Sequence, residues 1–380
     1  MRALDAARET CERHLPGLLD ALGAHPLDEL EKPGSPAVEL FRAHGGPALV
    51  IPKTYSGLGA DPLEAIETTR ALAAACPSLA VATTMHHFSV ATLFSLADSL
   101  HADGVAWALL EGIAEQKLLV ASGFAEGRPG RGILSPVMRA RPDDSGRGYR
   151  VDGSKKPCSL SASMDLLTAS VALPAADGTS EMAVLLVPRG TEGLSVRPFW
   201  SSWALAGAQS DEVRLDDVLV DEQQVMRTEP GAGGELDELQ TVGLIWFEML
   251  TSASYLGVAS ALAERVVAGG RGSVSERARL VTRLETAALL LEGVARMLAD
   301  GATGDAALAK ALVARFGAQD AIGDVVRHAV ELLGGMAFLG SGDIAYLAAA
   351  SNGLSFHPPS RSAFAEPFVD HVGGAPLRLT

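Results

Sequence analysis

The chain has 380 residues, of which 48% are apolar, 20% charged and 5% aromatic, a composition typical of a folded protein with a large core. Its formal charge of −15 and its lack of a Lys/Arg run argue against a surface that binds nucleic acid or anionic lipid. Three scattered cysteines are too few for a disulfide framework or a CxxC metal site, so we expect a cytoplasmic protein without a structural metal.

Helical spacing dominates residues 1–117. The stretch "DPLEAIETTRALAAA" repeats apolar residues at i, i+3 and i+4, which predicts an amphipathic helix. The N-terminal stretch "MRALDAARETCERHL" is interrupted by charges and lacks the apolar core of a signal peptide. The apolar run that contains His86 and His87 predicts a buried helix, so we expect no membrane span.

The pattern changes to strands over residues 118–228 and returns to long helices over residues 229–380. Runs such as "DLLTASVAL" and "EMAVLLVP" are separated by turn sequences, as in a β-domain. Blocks of helix, strand and helix point away from a Rossmann fold, and neither a GxGxxG after a strand nor a P-loop is present. The sequence therefore predicts an α+β multidomain chain.

Four stretches resemble motifs of the acyl-CoA dehydrogenase superfamily, in the same order and at similar spacing. "LLVASGFAEGRPGRG" resembles the strand and loop written TEPxxGSD, and "YRVDGSKKPCSLSAS" resembles the next strand, Y-x-x-x-G-x-K-x-[WF]-[IV]-[TS]. "LAGAQSDEVRLDDVLV" resembles the stretch that leads back to the helices, and "HAVELLGGMAFL" resembles Q-[IV]-x-G-G-x-G-[FY].

This resemblance implies an N-terminal helical domain, a middle β-barrel-like domain and a C-terminal four-helix bundle, with boundaries near residues 117 and 228. It also implies a flavin between the β-domain and the bundle, as FAD, as FMN, or as reduced flavin from a reductase. Matched by position, the ring and its pyrophosphate would be bordered by Phe124, Ala125, Gly130, Arg131, Pro157 and Ser159. A neighbouring subunit would contribute Arg271, Glu331, Gly334 and Gly335, so we expect a homodimer or homotetramer.

The chain departs from the superfamily pattern at the catalytic base. The usual glutamate of a Y-E-G-T context would fall near Ser360, inside "FHPPSRSAF", where no carboxylate is present. Some members carry the base on the first C-terminal helix, where Phe247 occupies the matching position and Glu248 follows it. The candidate catalytic residues are therefore Glu248, His357 and Ser360.

Three functions remain open from the sequence. The first is α,β-dehydrogenation of an acyl thioester carried by CoA or a carrier protein, with an electron-transfer flavoprotein as partner. The second is a flavin monooxygenase of the same fold, which needs no α-proton base, tolerates weak flavin binding and is supplied by a flavin reductase. The third is an inactive member that serves as a partner subunit or scaffold.

Overall fold

The computed structural model describes residues 1–99, 104–128, 133–174, 180–227 and 236–379. Helices form the first part of the chain, because apolar residues recur there at helical spacing. They are α1 Arg2–His14, α2 Leu18–Gly23, α3 Leu27–Leu30, α4 Ala37–Ala43, α5 Pro62–Ala75, α6 Pro77–Ser99 and α7 Gly104–Gln116.

Eight strands follow and form one mixed sheet. They are β1 Val120–Gly123, β2 Arg139–Pro142, β3 Gly148–Cys158, β4 Leu166–Pro174, β5 Ser180–Pro188, β6 Leu194–Arg197, β7 Asp211–Asp221 and β8 Val225–Arg227. The strand order is β6-β7-β3-β2-β4-β5-β8, and β1 pairs in parallel with β4. The first eight residues of β4 are buried, as expected for an apolar strand covered on both faces.

The remainder is helical again, with α8 Glu238–Ala268, α9 Val274–Ala299, α10 Gly304–Leu333, α11 Gly335–Gly340, α12 Gly342–Ala350 and α13 Arg361–Val372. Capping boxes begin two of the long helices, Asp237 with Gln240 at α8 and Ser273 with Glu276 at α9. Gly334, at φ 83°, ends α10. A 3-10 turn, Ser351–Phe356, connects α12 to the segment before α13.

Helix α8 is the central element of the helical part. Every residue from 241 to 263 is buried, and the helix packs against α5, α6, α9 and α10. Gln240–Ala268 is long and apolar enough to cross a membrane, but the apolar window within it is wholly buried inside the protein, as in a core helix. The fold is that expected from the resemblance, whereas the division into three domains stays a prediction.

Candidate functional site

A cavity of about 240 Å³ lies between the sheet, α6 and α8. Helix α6 contributes Val81, Met85, Phe88 and Thr92, whose spacing of four, three and four places them on one face. Helix α8 contributes a second stripe, Gln240, Gly243, Leu244 and Phe247. The segment 353–358 closes one end. The described lining is mostly apolar and contains no Asp, Glu, Lys or Arg.

Two of the polar side chains on this mostly apolar wall form a pair. Tyr255 of α8 and His357 are hydrogen-bonded, with 2.8 Å between the tyrosine Oη and the histidine Nε2. They can approach because Gly353 has no side chain, since a Cβ there would lie 2.4 Å from the Tyr255 Oη. Burial and the nearby Arg315 lower the pKa of His357 to about 4, so its imidazole is neutral at pH 7.

Glu248 lies behind the wall and not on it. Its neighbour Phe247 faces the cavity, and one residue turns the next side chain by about 100° around a helix. Glu248 and Arg315 of α10 are both 1% exposed, with 3.2 Å between Oε2 and Nε. Burial raises the pKa of Glu248 to about 8 against the attraction of Arg315.

Arg315 also fixes the segment that closes the cavity. Its Nη2 donates to the carbonyl oxygens of Leu354, at 3.0 Å, and His357, at 2.9 Å. The buried guanidinium therefore connects Glu248 to the backbone that presents His357. Sequence reasoning missed Arg315 and Tyr255, because neither residue belongs to a recognisable motif.

Ser360, the third catalytic candidate, lies outside the cavity lining. It is the N-cap of α13, where its Oγ accepts a hydrogen bond from the backbone N–H of Ala363 at 3.2 Å. Its hydroxyl also pairs with that of Ser362. The position near which the resemblance placed the usual base therefore holds an exposed helix cap.

Comparison with known proteins identifies the family. The sequence matches no family model. It is 50% identical to isobutylamine N-hydroxylase from Streptomyces viridifaciens over 380 residues, which is all of both chains. Its fold is similar to that of butyryl-CoA dehydrogenase from Megasphaera elsdenii, with a TM-score of 0.77 and 18% identity over 98% of this chain and 96% of that one. The chain belongs to the same family as isobutylamine N-hydroxylase, and its fold is that of the acyl-CoA dehydrogenase superfamily.

A further solved structure of this superfamily fold is KijD3 in complex with FMN and dTDP-3-amino-2,3,6-trideoxy-4-keto-3-methyl-D-glucose. Its TM-score is 0.82, with 20% identity over 98% of this chain and 94% of that one. With the full-length relative, these likenesses make the chain an oxidoreductase of a flavin-enzyme fold. Acyl dehydrogenation is one of several activities among the superfamily members that it resembles.

Four residues expected from the superfamily pattern to border the flavin ring lie on the cavity wall, namely Phe124, Ala125, Pro157 and Ser159. The Ser159 hydroxyl lies 2.9 Å from that of Ser210, which also lines the cavity. Gly130 and Arg131 lie outside the described residues. The cofactor roles of all six stay predictions.

A buried ion pair holds this part of the wall in place. Lys155, which is fully buried, donates from Nζ to Glu126 at 2.8 Å and to the Ser170 hydroxyl at 3.0 Å. Glu126 in turn accepts the backbone N–H groups of Val137 and Met138. The pair ties the segment after β1 to β3 and β4, so that Phe124 and Pro157 reach the same cavity.

The set predicted to serve a neighbouring subunit lies away from the cavity of its own chain. Arg271, Glu331, Gly334 and Gly335 are all absent from the cavity lining. A Cβ on Gly272 would lie 2.7 Å from a methyl group of Leu332, so the loop at Arg271 and the end of α10 are adjacent. The structure therefore brings these four positions together on one surface.

Two histidines of α6 contribute to the core. His86 Nε2 lies 2.9 Å from the Pro47 carbonyl oxygen, and its Nδ1 accepts the backbone N–H of Val120. His87 is buried against Phe41 and His86. Neither lines the cavity, whereas the next residue, Phe88, does.

Proposed function

We propose that this protein is a flavin-dependent N-hydroxylase that converts a small primary alkylamine to the corresponding hydroxylamine. The observation that carries the proposal is the 50% identity to isobutylamine N-hydroxylase over both whole chains. The cavity, whose wall would also hold the flavin ring, gives it further support. Its apolar lining suits a short aliphatic chain.

The cavity wall fits a flavin ring. Phe124, Ala125 and Pro157 offer a flat apolar surface, and the paired hydroxyls of Ser159 and Ser210 offer polar contacts to a ring edge. A reduced flavin bound there would supply two electrons, so that one oxygen atom of O₂ enters the new N–O bond and the other leaves as water. Whether FAD or FMN is used stays open.

The protein's own residues would orient the amine and exclude water. Met85, Phe88 and Phe247 form the apolar walls against which an alkyl chain packs, and an apolar site keeps bulk water away from the reacting atoms. The hydrogen-bonded Tyr255 and His357 supply the polar end of the cavity. A reaction at nitrogen begins from the lone pair of the amine and requires no carboxylate to remove a proton from carbon.

Acyl-thioester dehydrogenation receives no support from this site. Removal of an α-proton requires a base within hydrogen-bond reach of the carbon atom. The described lining contains no carboxylate, and Glu248 lies behind Phe247 beside Arg315. A flavin reductase is therefore a more suitable proposed partner than an electron-transfer flavoprotein.

The proposal is tested with reduced flavin and labelled oxygen. Protein is mixed without oxygen with chemically reduced FAD or FMN and isobutylamine, and ¹⁸O₂ is then admitted. We expect isobutylhydroxylamine that carries one ¹⁸O atom, detected by mass spectrometry, and none when catalase-treated reduced flavin is used without protein. Bleaching of the oxidised flavoprotein by an acyl-CoA, with no labelled hydroxylamine, would support the dehydrogenase instead.

A further inference from the structure

We propose that the Tyr255–His357 pair binds the substrate nitrogen, and that the cavity accepts the amine only as the uncharged free base. This inference rests on the proposed N-hydroxylation and deepens it. Among the described lining residues, these two are the only ionisable side chains. Their hydrogen bond places both polar atoms together in the mostly apolar lining.

Among the described residues, the charged groups nearest the pair lie behind it. Arg315 of α10 binds the backbone carbonyl oxygen of His357, and Glu248 of α8 faces Arg315. Arg361 of α13 stacks on the far side of Phe316 and pairs with Asp320. Glu248 provides no free negative charge to the cavity, because its carboxyl group faces Arg315 and lies outside the described lining.

An ammonium ion would therefore enter this cavity without a counterion. A charge buried without a partner is strongly disfavoured, and the His357 imidazole beside Arg315 resists taking up a proton. A free amine carries no such penalty. The free amine has two N–H donors and one lone pair. The neutral Tyr255–His357 pair can form a hydrogen bond with one of these groups.

The geometry of the Tyr255–His357 pair also leaves the lone pair of the amine nitrogen available for reaction. When the Tyr255 hydroxyl donates to His357 Nε2, the phenol oxygen still has a lone pair that can accept an amine N–H. An amine that donates one N–H to this oxygen does not use its own lone pair in that hydrogen bond. Gly353 preserves this arrangement, since any side chain there would collide with the Tyr255 oxygen.

The test measures binding of isobutylamine to the intact protein by calorimetry between pH 7 and 9. An alkylamine ionises near the pKa of about 10.4 known for Lys, so the free-base fraction rises about tenfold per pH unit over this range. We expect the apparent affinity to rise by the same factor. Isobutyl alcohol, which does not ionise, is the control and should bind equally at each pH. Constant or falling amine affinity would overturn the inference.

A variant checks the assignment of the nitrogen site. Tyr255→Phe removes only the phenol oxygen, and we expect about tenfold weaker amine binding with the pH dependence retained. If the variant bound the amine as tightly as the wild type does, Tyr255 would not be part of the nitrogen-binding site. Because binding is measured without turnover, labelled hydroxylamine together with pH-independent binding would refute the free-base inference alone. Free-base binding without hydroxylamine would refute only the proposed function.

Discussion

Arg315 shows how a buried charge can serve the site through the backbone. The side chain does not itself line the cavity, yet it donates to the carbonyl oxygens of Leu354 and His357. These carbonyl groups would lose their partner if the guanidinium were removed. The residue therefore supports the site by fixing the segment that carries His357.

Arg315→Met should destabilise the protein by at least about 2 kcal/mol, since an unpaired buried polar group costs roughly 1–3 kcal/mol. Arg361→Met is the matched control, because both arginines stack on Phe316 and Arg361 is exposed. The control should lose no more than about 1 kcal/mol. Urea unfolding measures the loss of stability in each of the two variants. Equal losses in the two variants would contradict the supporting role of Arg315.

The raised pKa of Glu248 predicts that the stability of the folded protein depends on pH. Burial raises its pKa to about 8, above the ordinary value of 4.5 in the unfolded chain. Between these values the folded protein holds a proton that the unfolded chain has released, so stability falls as pH rises, by up to about 1.4 kcal/mol per unit. Below the lower value both states are protonated and the dependence ends.

Glu248→Gln removes this dependence. The stability of the wild type relative to the variant should therefore decrease from pH 5.5 to 7.5, as measured by urea unfolding at each pH. Glu264→Gln is the control, because a hydrogen bond from Arg8 lowers the pKa of Glu264 and both states are ionised in this range. The difference in unfolding free energy between this control variant and the wild type should stay constant over the same pH range. A wild-type advantage that stays constant with pH, as for Glu264, would show that Glu248 is already ionised in the folded protein over this range.

At the scale of elements, the close approach of α5 to α8 depends on one glycine. A Cβ on Gly257 would lie 2.3 Å from the Arg70 carbonyl oxygen and 2.6 Å from the Ala73 Cβ. Both contacts involve atoms of a packed helix that cannot rotate away. The two helices must therefore separate if this position carries a side chain.

Gly257→Ala should destabilise the fold by about 1–3 kcal/mol, as other overpacked cores do. Gly293→Ala in α9 is the matched control, since the position is helical, exposed and has no atom within 4 Å of the new Cβ. That change should stabilise by about 0.5–1 kcal/mol, because Gly is a poor helix former. Thermal unfolding of both variants should give shifts of opposite sign. Shifts of the same sign would refute the close-packing argument.

Much of the fold could be predicted at this scale, and less of the site. Apolar periodicity identified the helices, and short runs such as "DLLTASVAL", separated by turn sequences, identified the β-domain. The spacing of Val81, Met85 and Phe88 defines one face of α6, but no local signal shows which face borders a cavity. The pairing of Tyr255 with His357 joins residues about a hundred positions apart, and only the packing of α8 against the closing segment brings them together.

For the whole molecule, the described cavity lining lacks the residues predicted to come from a neighbouring subunit. Arg271, Glu331, Gly334 and Gly335 lie together but away from this cavity. The neighbouring α11 exposes Met336 and Leu339, at 84% and 80% of their surfaces. We therefore propose that this surface completes the site of a second subunit, as the superfamily resemblance implies.

Subunit mixing tests this arrangement. Arg271→Ala should weaken flavin binding while leaving its own cavity intact, and Ala125→Trp should fill the cavity while leaving Arg271 intact. Co-expressed at equal levels, the two inactive variants form mixed dimers in which one cavity and one Arg271 surface are both native. Random pairing into two-fold dimers should then restore about a quarter of the wild-type hydroxylamine yield. If each subunit uses its own Arg271, every cavity in the mixed dimer is defective and no activity returns, even when light scattering shows that the dimers have formed.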